Sequence, residues 1–275
     1  MSMLSGLTYP AVMGILNVTP DSFSDGGDFF SREKALRQAR QMVQEGAAII
    51  DVGGESTRPG AAIVSVDEEL SRVIPVIEAI RAEYDTPISI DTSKPAVMRA
   101  AVEAGATMIN DVRALQGEGA LETAVELQVP VCLMHMQSEP QTMQLAPQYD
   151  DVVADVKAFF GRRVECCVTA GLSREMIVLD PGFGFGKRLS HNQALLRGLD
   201  AFLEFELPLL VGVSRKSMIA HMLDLPVDER LYGSISLASI AVWQGASIIR
   251  AHDVAATLQA IRVSDMCRRT ETTGK

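Results

Sequence analysis

The sequence predicts a single-domain (β/α)8 TIM barrel. Two observations predict it: eight short apolar runs of strand character, and amphipathic helical patterns that fall between them along all 275 residues. Strands that alternate with helices run parallel and join through right-handed crossovers, and a count of eight favours closure into a barrel over an open doubly wound sheet. No Pro/Ser-rich linker or low-complexity tract interrupts the alternation, so residues 1–275 read as one domain. The barrel spans about 12–268, and beyond it lies a polar C-terminal tail expected to fray.

The eight runs are Val12–Leu16, Ile49–Val52, Ile88–Ile90, Met108–Ile109, Val131–Met134, Ile177–Leu179, Leu209–Val213 and Ser247–Arg250. Several lack polar alternation, as parallel strands covered on both faces do. Between them, Ser31 is placed to cap a helix whose stripe is Leu36, Ala39, Met42 and Val43, with Gly46 as its stop. Ser65 and Glu68 have capping-box spacing ahead of Leu70, Val73, Ile74, Ile77 and Ile80. Pro95 suits a first helical turn after Ser93, and Gly105 ends that element. Further helices are expected over Asp150–Ala170, Asn192–Phe202, Ser234–Gly245 and Val254–Arg268.

Composition narrows the partners. With 35 acidic and 25 basic residues the net charge is -10, a field that repels nucleic acid and anionic membrane surfaces, so any phosphate site must be local. No apolar run reaches the roughly 18 residues of a membrane span, and no basic leader precedes an apolar one. Cys132, Cys166, Cys167 and Cys267 form neither a CxxC nor a paired framework, which fits reduced thiols in the cytoplasm.

The residues at the end of each strand are informative. The first ends in Asn17, the second at Asp51, the third in Asp91-Thr92-Ser93, the fourth in Asn110-Asp111, the sixth in Asp180, the seventh in Ser214-Arg215-Lys216, and the eighth in Arg250 and His252. In a parallel barrel all of these converge on the C-terminal mouth. Asp, Asn and Ser after a strand are also ordinary turn and cap chemistry. A cap does not explain why Lys216, Arg250 and His252 gather with Asn17, Asp91, Asn110 and Asp180 at one end. Two Gly-rich loops, Thr19–Gly27 and Gly53–Ala62, have few apolar anchors and suit mobile lids, the second presenting Arg58 beside Thr57 and Pro59.

Other signals carry less. Gly182–Lys187 matches neither GxGxxG nor GxxxxGK[ST] and is expected to form a tight turn offering Phe183 or Phe185 to a planar ligand. His135 reads as a satisfied rim or core histidine, and His191 and His221 as surface residues. No metal-cage spacing of His or Cys and no GxSxG elbow is present.

Asp91, Asn110 and Asp180 can read the N–H-rich edge of a flat heterocycle, and Lys216 can donate to its carbonyl or ring nitrogen. Arg250 and His252 make an anion pocket beside a helix start, and Asn17 suits a hydrated Mg2+, which uses few protein ligands. The implied substrate is a heterocycle carrying phosphate.

The segments Ile15–Gly27, Asp51–Gly60, Ile90–Lys94, Ile109–Asp111, Leu179–Lys187, Gly212–Ser217 and Arg250–Asp253 resemble, in order, the motif series of the bacterial dihydropteroate synthases of the pterin-binding family. The resemblance runs from Met13 to about Asp253. It implies a transferase that condenses 6-hydroxymethyl-7,8-dihydropterin diphosphate with 4-aminobenzoate to give dihydropteroate and diphosphate in folate synthesis. Carried over position by position, Asp91, Asn110, Asp180 and Lys216 would hold the pterin, with Phe185 near its ring. Thr57, Arg58, Arg250 and His252 would hold the diphosphate region and Asn17 the Mg2+. Ser214 and the 57–59 segment, including Pro59, would meet the aminobenzoate carboxylate. Asp91, Asp180, Lys216 and Arg58 are the expected catalytic set.

The implied displacement is SN1-like, with Asp91 and Asp180 stabilising an electron-deficient pterin. The resemblance further implies a homodimer joined through helices late in the chain. It also makes the chain a sulfonamide target, with Phe23, Arg58 and Pro59 as the sensitive positions. Two other readings remain open from the residues: the pterin-binding barrel of a corrinoid-dependent methyltransferase, and a non-catalytic pterin-binding protein.

Overall fold

A computed structural model describes residues 3–19, 28–56, 60, 62–137, 143 and 147–268, with the side chains of 28–31 excepted. Eight parallel strands, β1 (Ala11–Asn17), β2 (Ile49–Gly53), β3 (Ile88–Asp91), β4 (Met108–Asp111), β5 (Val131–Met134), β6 (Ile177–Asp180), β7 (Leu210–Val211) and β8 (Ile248–Ala251), form one sheet. Its order is β6-β5-β4-β3-β2-β1-β8-β7, and a parallel bridge between Leu179 and Leu209 joins the two ends, so the barrel is nearly closed.

The described residues form helices α1 (Asp28–Gln44), α2 (Val66–Glu83), α3 (Pro95–Glu103), α4 (Ala120–Leu127), α5 (Val152–Thr169), α6 (Leu189–Arg197), α7 (Ser217–Leu223), α8 (Leu231–Trp243) and α9 (Val254–Arg268). No helix among them is long and apolar enough to cross a membrane.

Local chemistry explains most boundaries. The Ser65 side chain accepts the Glu68 amide and caps α2, a contact whose loss typically costs about 1 kcal/mol. Pro95 opens α3, and Gly46 and Gly105, at φ of 93° and 115°, end the turns after α1 and α3. Ser31 is not the cap of its helix, because α1 begins at Asp28; the stripe from Leu36 fixes the helix body and leaves its first turn undetermined. The expected Asn192–Phe202 helix is two elements, α6 and a 3-10 segment at Leu199–Phe205, because Gly198 interrupts it and packs on Val153. Short α4 and α7 offer too few turns for a periodic signal.

Strand geometry sorts side chains by twos, one toward the barrel axis and the next toward the helices. Val12, Ile50, Ile90, Ile109, Val131, Leu179 and Ile249 join the large core formed with the helices. Met13, Ile49, Met108, Cys132, Val178, Leu210 and Ile248 form a second, inner cluster with Leu4, which caps the barrel's N-terminal end. Two residues beyond Ile49, Met108, Val178, Leu210 and Ile248 on the same inward rows stand Asp51, Asn110, Asp180, Gly212 and Arg250. An apolar floor therefore supports a polar upper layer at the C-terminal mouth.

Candidate active site

The polar layer is tied together across strands distant in sequence. Arg250, on β8, donates through Nε to Asp51 Oδ2 at 2.6 Å and through Nη2 to Asp91 Oδ2 at 2.8 Å. Asn110 Nδ2 donates to the same Asp51 oxygen at 3.1 Å. Asp51 thus organises a cation from β8 and an amide from β4. Its Oδ1 is buried without a partner among the described residues, as is the Oγ of Ser89, its register neighbour on β3.

Across the bowl, Asp180 accepts the Gly182 amide at 2.8 Å. Lys216 donates to the Phe183 carbonyl, and its Nζ stands 4.6 Å from the centroid of the Phe185 ring, a cation–π contact. Gly212 leaves the space above it open: a Cβ there would lie 3.8 Å from both Arg250 Cβ and Lys216 Nζ. Ser214 Oγ lies 3.0 Å from His252 Nδ1 and accepts the His252 amide at 3.2 Å, joining the ends of β7 and β8. Asn17 ends β1 beside Gly53, whose own Cβ position would face Asp91.

Burial governs the charges here. It raises the proton affinity of Asp91 and Asp180, with Arg250 opposing it at Asp91 and Lys216 opposing it at Asp180. Burial pulls Lys216 down to about 8 against the attraction of Asp180. For Arg250, Asp51 and Asp91 outweigh burial and hold its charge more firmly than usual. Asp91, Asp180 and Lys216 are thus pushed toward neutrality, a state that a polar ligand can relieve.

Asn17, Asp91, Asn110, Asp180, Phe185, Ser214, Lys216, Arg250 and His252 all lie at the C-terminal end of the barrel. Phe185 alone of the two loop rings is open to a ligand, because Phe183 is fully buried. Thr57, Arg58 and Pro59, Phe23, and the central parts of both expected lids lie outside the described residues. The ends of the second loop are visible: Glu55 accepts the Val64 amide at 2.9 Å and takes Lys94 Nζ at 2.7 Å, and Lys94 also reaches buried Glu69 at 2.5 Å. Asp51, Lys94 and Lys187 were not anticipated as site residues. For Asp51 the signal was available, since it stands two residues beyond inward Ile49 at a strand end.

No group of three or more His, Cys, Asp or Glu among the described residues could cage a metal. The single amide of Asn17, at the end of β1, fits an ion that keeps most of its own waters, as Mg2+ does.

The family model described as pterin binding enzyme matches residues 13–252. The dihydropteroate synthase of Escherichia coli strain K12 is 59% identical over 257 residues, covering 94% of this chain and 91% of that protein. The crystal structure of the Yersinia pestis dihydropteroate synthase with a sulfonamide drug superposes with a TM-score of 0.91 at 53% identity, covering 96% of this chain and 97% of that one. The Xanthomonas albilineans enzyme in complex with 7,8-dihydropteroate superposes with a TM-score of 0.88 at 45% identity, covering 97% and 98%.

Proposed function

The chain belongs to the pterin binding enzyme family, and we propose that the polar upper layer of its barrel is the surface on which the family's chemistry is done. It is a transferase that makes 7,8-dihydropteroate from 6-hydroxymethyl-7,8-dihydropterin diphosphate and 4-aminobenzoate, a step of folate synthesis. The methyltransferase and non-catalytic readings give way, because relatives matched over nearly their full length carry the synthase name.

The observation that carries the site assignment is the pairing of Arg250 with Asp51 and Asp91 in a bowl that also holds Asp180 and Lys216. Asp91, Asn110 and Asp180 accept and donate along the edge of the pterin, Lys216 donates to it, and Phe185 packs near its ring. Arg250 and His252, with Thr57 and Arg58 from the second loop, bind the diphosphate. Ser214 and the 57–59 segment, with Pro59, receive the aminobenzoate carboxylate.

The C–O bond to diphosphate breaks first, leaving an electron-deficient methylene conjugated to the pterin. Asp91 and Asp180 stabilise that positive charge, and Arg250 and Arg58 the leaving anion. The arylamine nitrogen then bonds to the methylene carbon, and its proton passes to the departing diphosphate or water. Asn17 would hold the Mg2+, which when bound neutralises diphosphate charge.

The same reading includes one domain over the chain, and a cytoplasmic setting supported by four free cysteines. It also includes a homodimer, supported by exposed Tyr232, Ile240 and Trp243 on α8 and Val263 and Met266 on α9.

Mass detection of dihydropteroate tests the assignment. Product should require both substrates and be lost when Mg2+ is chelated. The kcat/KM for the pterin substrate should fall as pH rises through about 8, where free Lys216 loses its proton. A flat profile through that range would remove Lys216 from its role.

A further inference from the structure

Lys187 closes the Gly-rich turn after β6, is 3% exposed, and spends its ammonium on the backbone of its own turn and of the segment after β5. Its Nζ lies 2.9 Å from the Gly182 carbonyl, 3.0 Å from the Phe185 carbonyl, 3.2 Å from the His135 carbonyl and 3.0 Å from His135 Nδ1. Four acceptors surround a group with three protons to give. His135 stays neutral, because burial and the neighbouring Lys187 push it down to about 3.

The turn lies flush on the segment after β5. A Cβ at Gly182, whose φ is 71°, would sit 1.9 Å from the His135 carbonyl oxygen, and one at Gly186 2.6 Å from that of Gln137. Asn192 accepts the Gly184 amide at 2.8 Å, and the Tyr149 hydroxyl donates to the Gly186 carbonyl at 2.9 Å. The Phe183 carbonyl, in the same turn, receives Lys216. The backbone that Lys187 binds at Gly182 and Phe185 is therefore continuous with the backbone that holds Lys216 at Phe183 and carries the Phe185 ring.

Gly182 joins Lys187 to Asp180: its amide donates to Asp180 at 2.8 Å and its carbonyl accepts from Lys187 at 2.9 Å. The charged groups acting on Asp180 are Lys216 after β7, Lys187 after β6 and Arg250 on β8, all favouring its ionised form, and buried Cys132 on β5 lies near. Burial brings Lys187 down to about 7, with Asp180 supporting its charge and Lys216 opposing it. A neutral donor could pair with the same carbonyls without burying a charge, so hydrogen bonding alone does not account for an ammonium here.

We propose that Lys187 is a positioning residue of the reaction: it fixes the turn that presents Lys216 and Phe185 to the pterin, and its charge holds Asp180 ionised. The inference rests on the pterin site assigned above and extends it to a residue that does not touch substrate.

The test is calorimetric titration of 6-hydroxymethylpterin into wild type, Lys187→Gln and Lys187→Arg across pH, with folding checked by thermal melting. Glutamine can still donate to the turn carbonyls but carries no charge. Asp180 should then protonate at higher pH, moving the acid limb of pterin binding upward and weakening binding there by about tenfold per unit of displacement. Lys187→Arg, which keeps the charge, should leave the limb nearer to wild type.

Lys187→Gln that binds like wild type at every pH would overturn the inference, whereas a wild type that fails to bind the pterin would instead overturn the site assignment. Should Lys187→Gln not fold, lysine 13Cε NMR decides, and with six lysines the spectrum is simple. Coupling is reciprocal, so Asp180→Asn should lower the titration midpoint of Lys187. An unchanged midpoint would overturn the charge role.

Discussion

Replacing Asp180 with Asn should lower kcat/KM by about 10²–10³-fold while leaving the chain at least as stable as before. The substituted amide keeps an oxygen for the Gly182 N–H, so the turn that Asp180 anchors at 2.8 Å need not change. What disappears is the negative charge facing the pterin, replaced by an N–H2 that confronts the ligand's own donors.

Burial raises the proton affinity of Asp180, so its folded-state pKa lies above the unfolded value. Such a group favours folding below its unfolded pKa, and that contribution is lost as pH rises through the folded one. At neutral pH the ionised carboxylate therefore weighs against the fold, and the amide removes the burden. Denaturant midpoints and kinetics on one preparation check both halves. Parallel losses of stability and activity would mean that Asp180 serves the fold.

Arg250→Ala should remove activity and also destabilise the chain by about 3–5 kcal/mol, because it strands the carboxylates of Asp51 and Asp91. Asp51 is fully buried and already has one oxygen without a partner among the described residues. Among the described residues its other oxygen would retain only Asn110, at 3.1 Å. The penalty should therefore be relieved by a second change: Asp51→Asn in the Arg250→Ala background should recover part of the lost stability without restoring turnover. Urea unfolding of the two single variants and the double variant reads this directly. Additive losses would show that the three side chains do not share one charge balance.

The sequence made the strands legible because each is a compact apolar run, and the polar rim legible because the acids, amides and cations fall at strand ends. Asp51 escaped notice as a site residue despite holding Arg250 and Asn110, since an Asp closing an apolar strand looks like turn chemistry until the inward row is traced. Lys187 was hidden for another reason. A lysine after a glycine-rich turn is normally solvated, and only the approach of the His135 carbonyl and ring, brought by β5, buries it. The short helices α4 and α7 lacked enough turns to show a period, and the apolar stripe of α1 starts at Leu36, well inside a helix that begins at Asp28. Contacts between distant segments are what the linear pattern conceals.

A crystal structure of the chain with dihydropteroate bound is the sharpest check. The pterin ring should lie over Asn110 and Gly212, its edge against Asp91 and Asp180, with Lys216 Nζ turned from the Phe183 carbonyl toward the ring. Density for the ligand at the N-terminal end of the barrel, near Leu4 and Met13, or anywhere that leaves Asp91 and Asp180 untouched, would contradict the assignment.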